Sequence, residues 1–173
     1  MSLKSFSRSI LYRKQSKQYY WNLRLKARNC GFAPLRWYYA HKHERLMQQH
    51  NANIPYTTQI ANAPIFPHGL SGIYISAGAK IGQNCVIFHQ VTIGSNTLPD
   101  SKNAGFPTIG NDVYIGAGAK IIGGITIGNH VRIGANCVVT QDIPDNATVV
   151  LERPRILVRE TTQDNRFIPQ NQL

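Results

Sequence analysis

The sequence predicts a mainly β chain: a parallel β-helix of six-residue repeats with a short α-helical segment in front. Three observations carry that reading. An apolar residue recurs every six positions through Ile75, Ile81, Ile87 and Ile93, and again through Ile109, Ile115, Ile121, Ile127, Ile133 and Val139. A second residue, often smaller, follows four places on: Ala79, Cys85 and Val91, then Val113, Ala119, Ile125, Val131, Cys137 and Ile143. Gly comes directly after many of the first set, as in Ile81-Gly82, Ile109-Gly110 and Ile127-Gly128.

A period of six fits neither the 3.6-residue period of an amphipathic helix nor the two-residue alternation of a strand. It fits a chain that turns a corner after each short strand. Three such strands close a triangular coil of about eighteen residues, and coils stack by strand pairing at roughly 4.8 Å. The Ile fills the interior and the residue four places on takes a tighter interior slot. Cys85 and Cys137 fall in those slots, so both are expected to be core residues.

The register extends backwards through Ile54/Thr58, Ile60/Pro64 and Phe66. A short interruption, Pro67 to Gly72, adds three residues between Phe66 and Ile75. A longer one, Ser95 to Pro107, contains Pro, Asp, Asn, Lys and Gly and reads as an exposed loop of the kind that carries function on a rigid solenoid.

Residues 1–50 lack the period. Two helices are expected, Ser7 to Arg28 and Pro34 to His50, with Cys30-Gly31 ending the first and Pro34 near the start of the second. The aromatics Tyr19, Tyr20, Trp21, Trp37, Tyr38 and Tyr39 are expected to pack these helices against the solenoid. The expected organisation is a helical segment 1–52, a β-helix 53–150 with its loop at 95–107, and a tail 151–173 that runs over the surface.

The formal charge of +11 is uneven. Residues 1–53 hold eleven Lys/Arg against a single acid, Glu44, whereas residues 54–150 hold four of each sign. The basicity belongs to the helical appendage. It reads either as a solvated helix face or as attraction to an anionic membrane surface or phosphate-bearing substrate. No nucleic-acid-binding motif accompanies it. Three cysteines without paired spacing argue against a disulfide framework and for a reducing cytosol. No secretory signal and no run of about 18 apolar residues is found, so no membrane span is expected.

Chemistry in the body falls to His68, His89 and His130. His68 lies two residues after Phe66 and His89 two after Ile87. Counting repeats at 66, 75, 81 and 87, the two are one full coil apart and should stack on one face. His130, three residues after Ile127, has a different phase and reads as an exposed strand residue.

The segments Pro-His-Gly-Leu-Ser-Gly-Ile-Tyr-Ile at 67–75 and Ile-Phe-His-Gln-Val-Thr-Ile-Gly at 87–94, together with the repeat, resemble the hexapeptide-repeat acyltransferases. Within them the chain looks most like serine acetyltransferases and related polysaccharide O-acetyltransferases, over residues 53–158. The resemblance implies a left-handed parallel β-helix of hexapeptide repeats, a homotrimer, acetyl-CoA as acyl donor, no metal and a cytoplasmic location, extended by the basic segment to the inner membrane face. It implies that His68 takes the proton of an acceptor hydroxyl as the oxygen attacks the thioester, a task suited to imidazole. His89, one coil away, is the second catalytic candidate. Where serine acetyltransferases carry an Asp to orient the base, this chain has Asn53.

The segments 115–121 and 133–144 resemble the family's CoA groove. By that likeness Ala117 and Ala135 let the pantetheine arm lie against backbone, and Thr140 and Gln141 stand near the adenine and phosphate end. Gln141 replaces a Lys common in relatives, and Arg153 or Arg155 is expected to supply that charge. Serine acetyltransferases hold their amino acid with an Asp beside the catalytic His and an Arg-His pair in the long loop. Here those positions read Pro67 and Asn103-Ala104-Gly105-Phe106-Pro107. Burying a zwitterion without charged partners is costly. The expected acceptor is therefore a sugar hydroxyl in surface polysaccharide assembly, with serine O-acetylation as the alternative and a non-catalytic scaffold as the reading from another class.

Overall fold

The computed structural model describes residues 18–166. Residues 18–29 are helical (α1) and a second helix, α2, spans Ala33–Gln49. The expected first helix begins at residue 7, and its residues 7–17 lie outside the described part. From there to Val149 the described chain is a left-handed parallel β-helix built of twelve strands of two or three residues.

The strands form three flat sheets. The first contains β1 (Gln59–Ile60), β3 (Lys80–Ile81), β6 (Thr108–Ile109) and β9 (Thr126–Ile127). The second contains β4 (Val86–Ile87), β7 (Tyr114–Ile115), β10 (Arg132–Ile133) and β12 (Thr148–Val149). The third contains β2 (Tyr74–Ile75), β5 (Thr92–Gly94), β8 (Lys120–Ile122) and β11 (Val138–Val139). All pairings are parallel, and the register sets like on like: Ile87, Ile115 and Ile133 form one ladder, Ile75, Ile93, Ile121 and Val139 another. These ladders are the core. Ile87, Ile93, Ile115, Ile121, Ile127 and Ile133 are completely buried, each contributing about 1.5–3 kcal/mol of apolar burial. Cys85 and Cys137 are buried thiols in the inner slots.

Two of the prism's corners repeat a left-handed backbone residue. One column is Asn51, Gly72, Gln90, Gly118 and Asn136; the other is Asn84, Asp112, His130 and Asn146, all with φ between 47° and 72°. Asn, Asp and His are the side-chain-bearing residues that tolerate this region best. His130 is exposed, as its phase implies, but it is a corner residue (φ 56°), not a strand residue. Corner amides are capped from the coil above. Asn111 Oδ1 accepts from Gln83 N at 2.8 Å, Asn129 Oδ1 from Asn111 N at 2.9 Å, and Asp145 Oδ1 from Asn129 N at 2.7 Å. Along the first sheet, coils from β3 to β9 approach too closely for a side chain after the strand Ile: a Cβ on Gly110 would lie 2.7 Å from the Gly128 carbonyl.

The helices close the first coil. Tyr20 is buried edge-on against Phe66 with ring centroids 6.1 Å apart, and Arg24 is buried with its guanidinium donating to the Thr58 carbonyl. Of the aromatics expected to pack there, Tyr20 and Trp21 do so. Tyr19, Trp37 and Tyr38 are exposed, because α1 and α2 turn those faces away from the solenoid. From residue 151 to 166 the chain has neither strand nor helix and is exposed throughout. Among the described residues, no helix is long and apolar enough to cross a membrane.

Candidate functional site

The corner that leads from the second sheet into the third carries the two histidines. His68 follows the bridge between Ile65 and Val86, and His89 follows β4. Their Nδ1 atoms are 2.9 Å apart and their ring centroids 4.8 Å apart, close to one coil spacing. A contact between two imidazole nitrogens is a hydrogen bond only if one carries hydrogen and the other a lone pair. Phe88 meets His68 edge-on, centroids 5.1 Å apart, and packs in turn on Tyr114. His68 is exposed and His89 half-buried.

The same corner carries the small residues. The Gly118 amide donates to the His89 carbonyl at 3.0 Å, and the Asn136 amide to the Ala117 carbonyl at 2.8 Å. His68, His89, Ala117 and Ala135 therefore follow one another up a single column, each two residues after an interior apolar residue. Lys120 Nζ donates to the Gln90 carbonyl at 2.6 Å beside it. Phe88, Gln90, Tyr114 and Lys120 escaped the sequence reading. The position of Phe88 between Ile87 and His89 was the available signal.

Other expected residues are not brought to this corner. Asn53 pairs with Tyr74 at the start of the third sheet, its amide donating to Ile73 and its carbonyl accepting from Ile75. Its side chain makes no hydrogen bond to His68, and it lines a cavity of about 370 Å³ with His43, Met47 and Tyr56. Thr140 follows β11 and stands at the next corner, with Gln141 after it. Arg153 and Arg155 are exposed on the irregular tail.

The long loop is anchored at a different corner. It does not fold over the histidines of its own chain. Asn96 and Gly105 pair antiparallel, the Asn103 carbonyl accepts from Gly124, and Asn103 Nδ2 donates to the Thr140 carbonyl at 2.7 Å. These bonds hold the loop at the corner between the third and first sheets, where the Phe106 ring lies over Gly78. Among the described residues, no group of three or more His, Cys, Asp or Glu converges as a metal-ligand set.

Residues 106–141 match the family model described as "Bacterial transferase hexapeptide (six repeats)". That stretch lies within the β-helix and is similar to the bacterial transferase hexapeptide repeat. The chain is also similar to several curated proteins and solved structures. A serine acetyltransferase of Mycobacterium tuberculosis is 41% identical over 91 residues, covering 53% of this chain and 39% of the relative. One of Helicobacter pylori is 36% identical over 102 residues, 59% of this chain and 58% of the relative. An Escherichia coli protein named for colanic acid biosynthesis acetyl transfer is 42% identical over 91 residues, 53% of this chain and 54% of its own. Among solved structures, soybean serine acetyltransferase with serine superposes with TM-score 0.64 at 30% identity, covering 82% of this chain and 56% of that one. Serine acetyltransferase isoform 3 of Entamoeba histolytica with cysteine gives TM-score 0.61 at 38% identity over 71% of this chain and 43% of that one. The match spans between 36 and 58% of the lengths of these curated relatives and of others like them.

Proposed function

We propose that the chain is an acetyl-CoA-dependent O-acetyltransferase, with His68 as the base that takes the acceptor's proton. One observation carries this: an imidazole pair stands on the same corner as the Ala117–Ala135 track, one coil below it. The base is set where a thioester would end if the pantetheine arm lay along that track. The acceptor oxygen attacks the thioester carbonyl and gives its proton to His68 Nε2. The C–S bond breaks as the new C–O bond forms, and the same proton passes to the departing sulfur.

Thr140, Gln141 and the loop stand at another corner of the same protomer, and the outer face of the prism is convex. A cleft that includes them requires a second copy, so a homotrimer with sites between protomers is part of the proposal. Thr140, Gln141 and Arg153 of the neighbouring copy would then contact the nucleotide end of CoA. The basic α1–α2 segment, with Trp37 and Tyr38 exposed and Lys42 over the Tyr38 ring, suits contact with an anionic membrane face.

For the acceptor, the relatives favour serine, the alternative reading of the sequence, since those matched are mostly named serine acetyltransferases. A sugar hydroxyl is the second reading. It is favoured by Pro67 before His68 and by Phe106 in the loop, where charged groups for a zwitterion would be expected, and by the colanic acid relative. A thiol-release assay with acetyl-CoA, run over serine and a panel of free and nucleotide-linked sugars, separates them. Efficient turnover of serine alone removes the sugar reading, and efficient turnover of a sugar alone removes serine. Release at the hydrolytic background with every acceptor rejects acetyl transfer.

A further inference from the structure

We infer that His89 is a positioning residue that takes the place of a carboxylate behind the base, the two imidazoles sharing one proton. The inference rests on His68 being that base.

The geometry admits one proton between the rings. Two hydrogens on nitrogens 2.9 Å apart leave no acceptor, and two bare nitrogens set lone pair against lone pair. A His68 that accepts a proton at Nε2 must have that nitrogen bare, so its hydrogen is on Nδ1. The atom facing it is His89 Nδ1, which must then be the bare acceptor, with the His89 hydrogen on Nε2. Among the described hydrogen bonds and ion pairs, His68 has no partner except His89, and the bonds of Asn53 are those of its backbone alone. When His68 takes the acceptor's proton it becomes an imidazolium whose Nδ1–H still donates to His89. The charge is thus met by an oriented neutral ring instead of an anion. His89 is fit to hold that orientation, because it is half-buried and its carbonyl is fixed by the Gly118 amide.

The test uses the full chain and two readouts. Long-range proton–nitrogen NMR on histidine-labelled protein reports which nitrogen of each ring carries hydrogen and needs no turnover. The expected result is Nδ1–H on His68 and Nε2–H on His89, with the His68 preference lost in His89→Leu. Hydrogen on Nε2 of His68, or the same His68 tautomer in His89→Leu, overturns the inference. In kinetics, His89→Leu is expected to lower kcat by about 10²-fold, within the range that a well-placed general base contributes. The KM for acetyl-CoA should stay within about twofold of the native value, since the partner acts on proton transfer and not on ground-state binding. His89→Asn puts an oxygen acceptor near the former Nδ1 and is expected to recover most of the lost kcat. Asn as poor as Leu, or Leu as fast as the native chain, contradicts the role. If the native chain turns over no acceptor, the function proposed above fails, while the tautomers still decide the pairing.

Discussion

The amide of Gly118 donates to the carbonyl of His89 over 3.0 Å, which ties the second imidazole to the coil that carries Ala117. The imidazole pair and the small-residue track are successive rungs of one corner. Any displacement of that corner moves both together, so the site should be sensitive to small changes in coil stacking.

Replacing His68 with Ala removes the proposed base and leaves the interior ladder untouched, since the side chain is exposed. The expected loss is about 10²–10⁴-fold in acetyl-transfer rate, with the far-ultraviolet circular dichroism unchanged. Steady-state thiol release checks it.

Ala135→Trp should obstruct the track without touching the core, because Ala135 faces outward. Thermal unfolding of the native chain should shift upward with added CoA. The stabilisation is about 2.7 kcal/mol at a ligand concentration 100 times Kd, and the variant should show little of it at the same concentration. An equal shift in both would place the donor elsewhere.

The close stacking at the glycine column makes Gly110→Ala costly. Its methyl would meet the Gly128 backbone at 2.7 Å, and backbone cannot rotate aside. A loss of about 1–3 kcal/mol is expected, read as a lower urea midpoint at unchanged slope.

His43 gives the helical segment a pH dependence. Burial, and then the neighbouring Arg24 charge, push its imidazole down from 6.5 to about 4, and its Nε2 has no hydrogen-bond partner among the described residues. The groups around it are Tyr20, Arg24 and Tyr56. An unfolded chain takes up a proton as pH falls below 6.5, whereas the folded chain resists until about 4. The stability present above pH 6.5 therefore declines between those values and levels off below the lower one. The decline is on the order of 3 kcal/mol. Urea titrations at pH 7 and 4.5 should show it in the native chain, and His43→Leu should lose most of the difference.

The prism was legible because its period is short and its interior accepts little besides Ile and small residues. The same counting brought His68 and His89 together, and it also puts Ala117 and Ala135 in their phase. It did not reveal the destination of a side chain that leaves the repeat. Asn53 keeps the sequence spacing of a dyad partner yet has no bond to His68, and the loop's anchors, Gly124 and Thr140, lie in later coils with no local sign of it. His130 was given the wrong local setting because a left-handed corner residue and an outward strand residue are both exposed and polar. In α1 and α2, aromatic and basic residues occur all round the helices, so the sequence did not distinguish the face that meets Phe66 from the one that meets solvent.

A crystal structure of the chain with CoA tests the central claim most directly. The expected result is the sulfur beside the His68–His89 pair, with the pantetheine arm running past Ala117 and Ala135 in a cleft between two protomers. A thiol that lies away from both imidazoles, or CoA bound along a different corner of the prism, would contradict it.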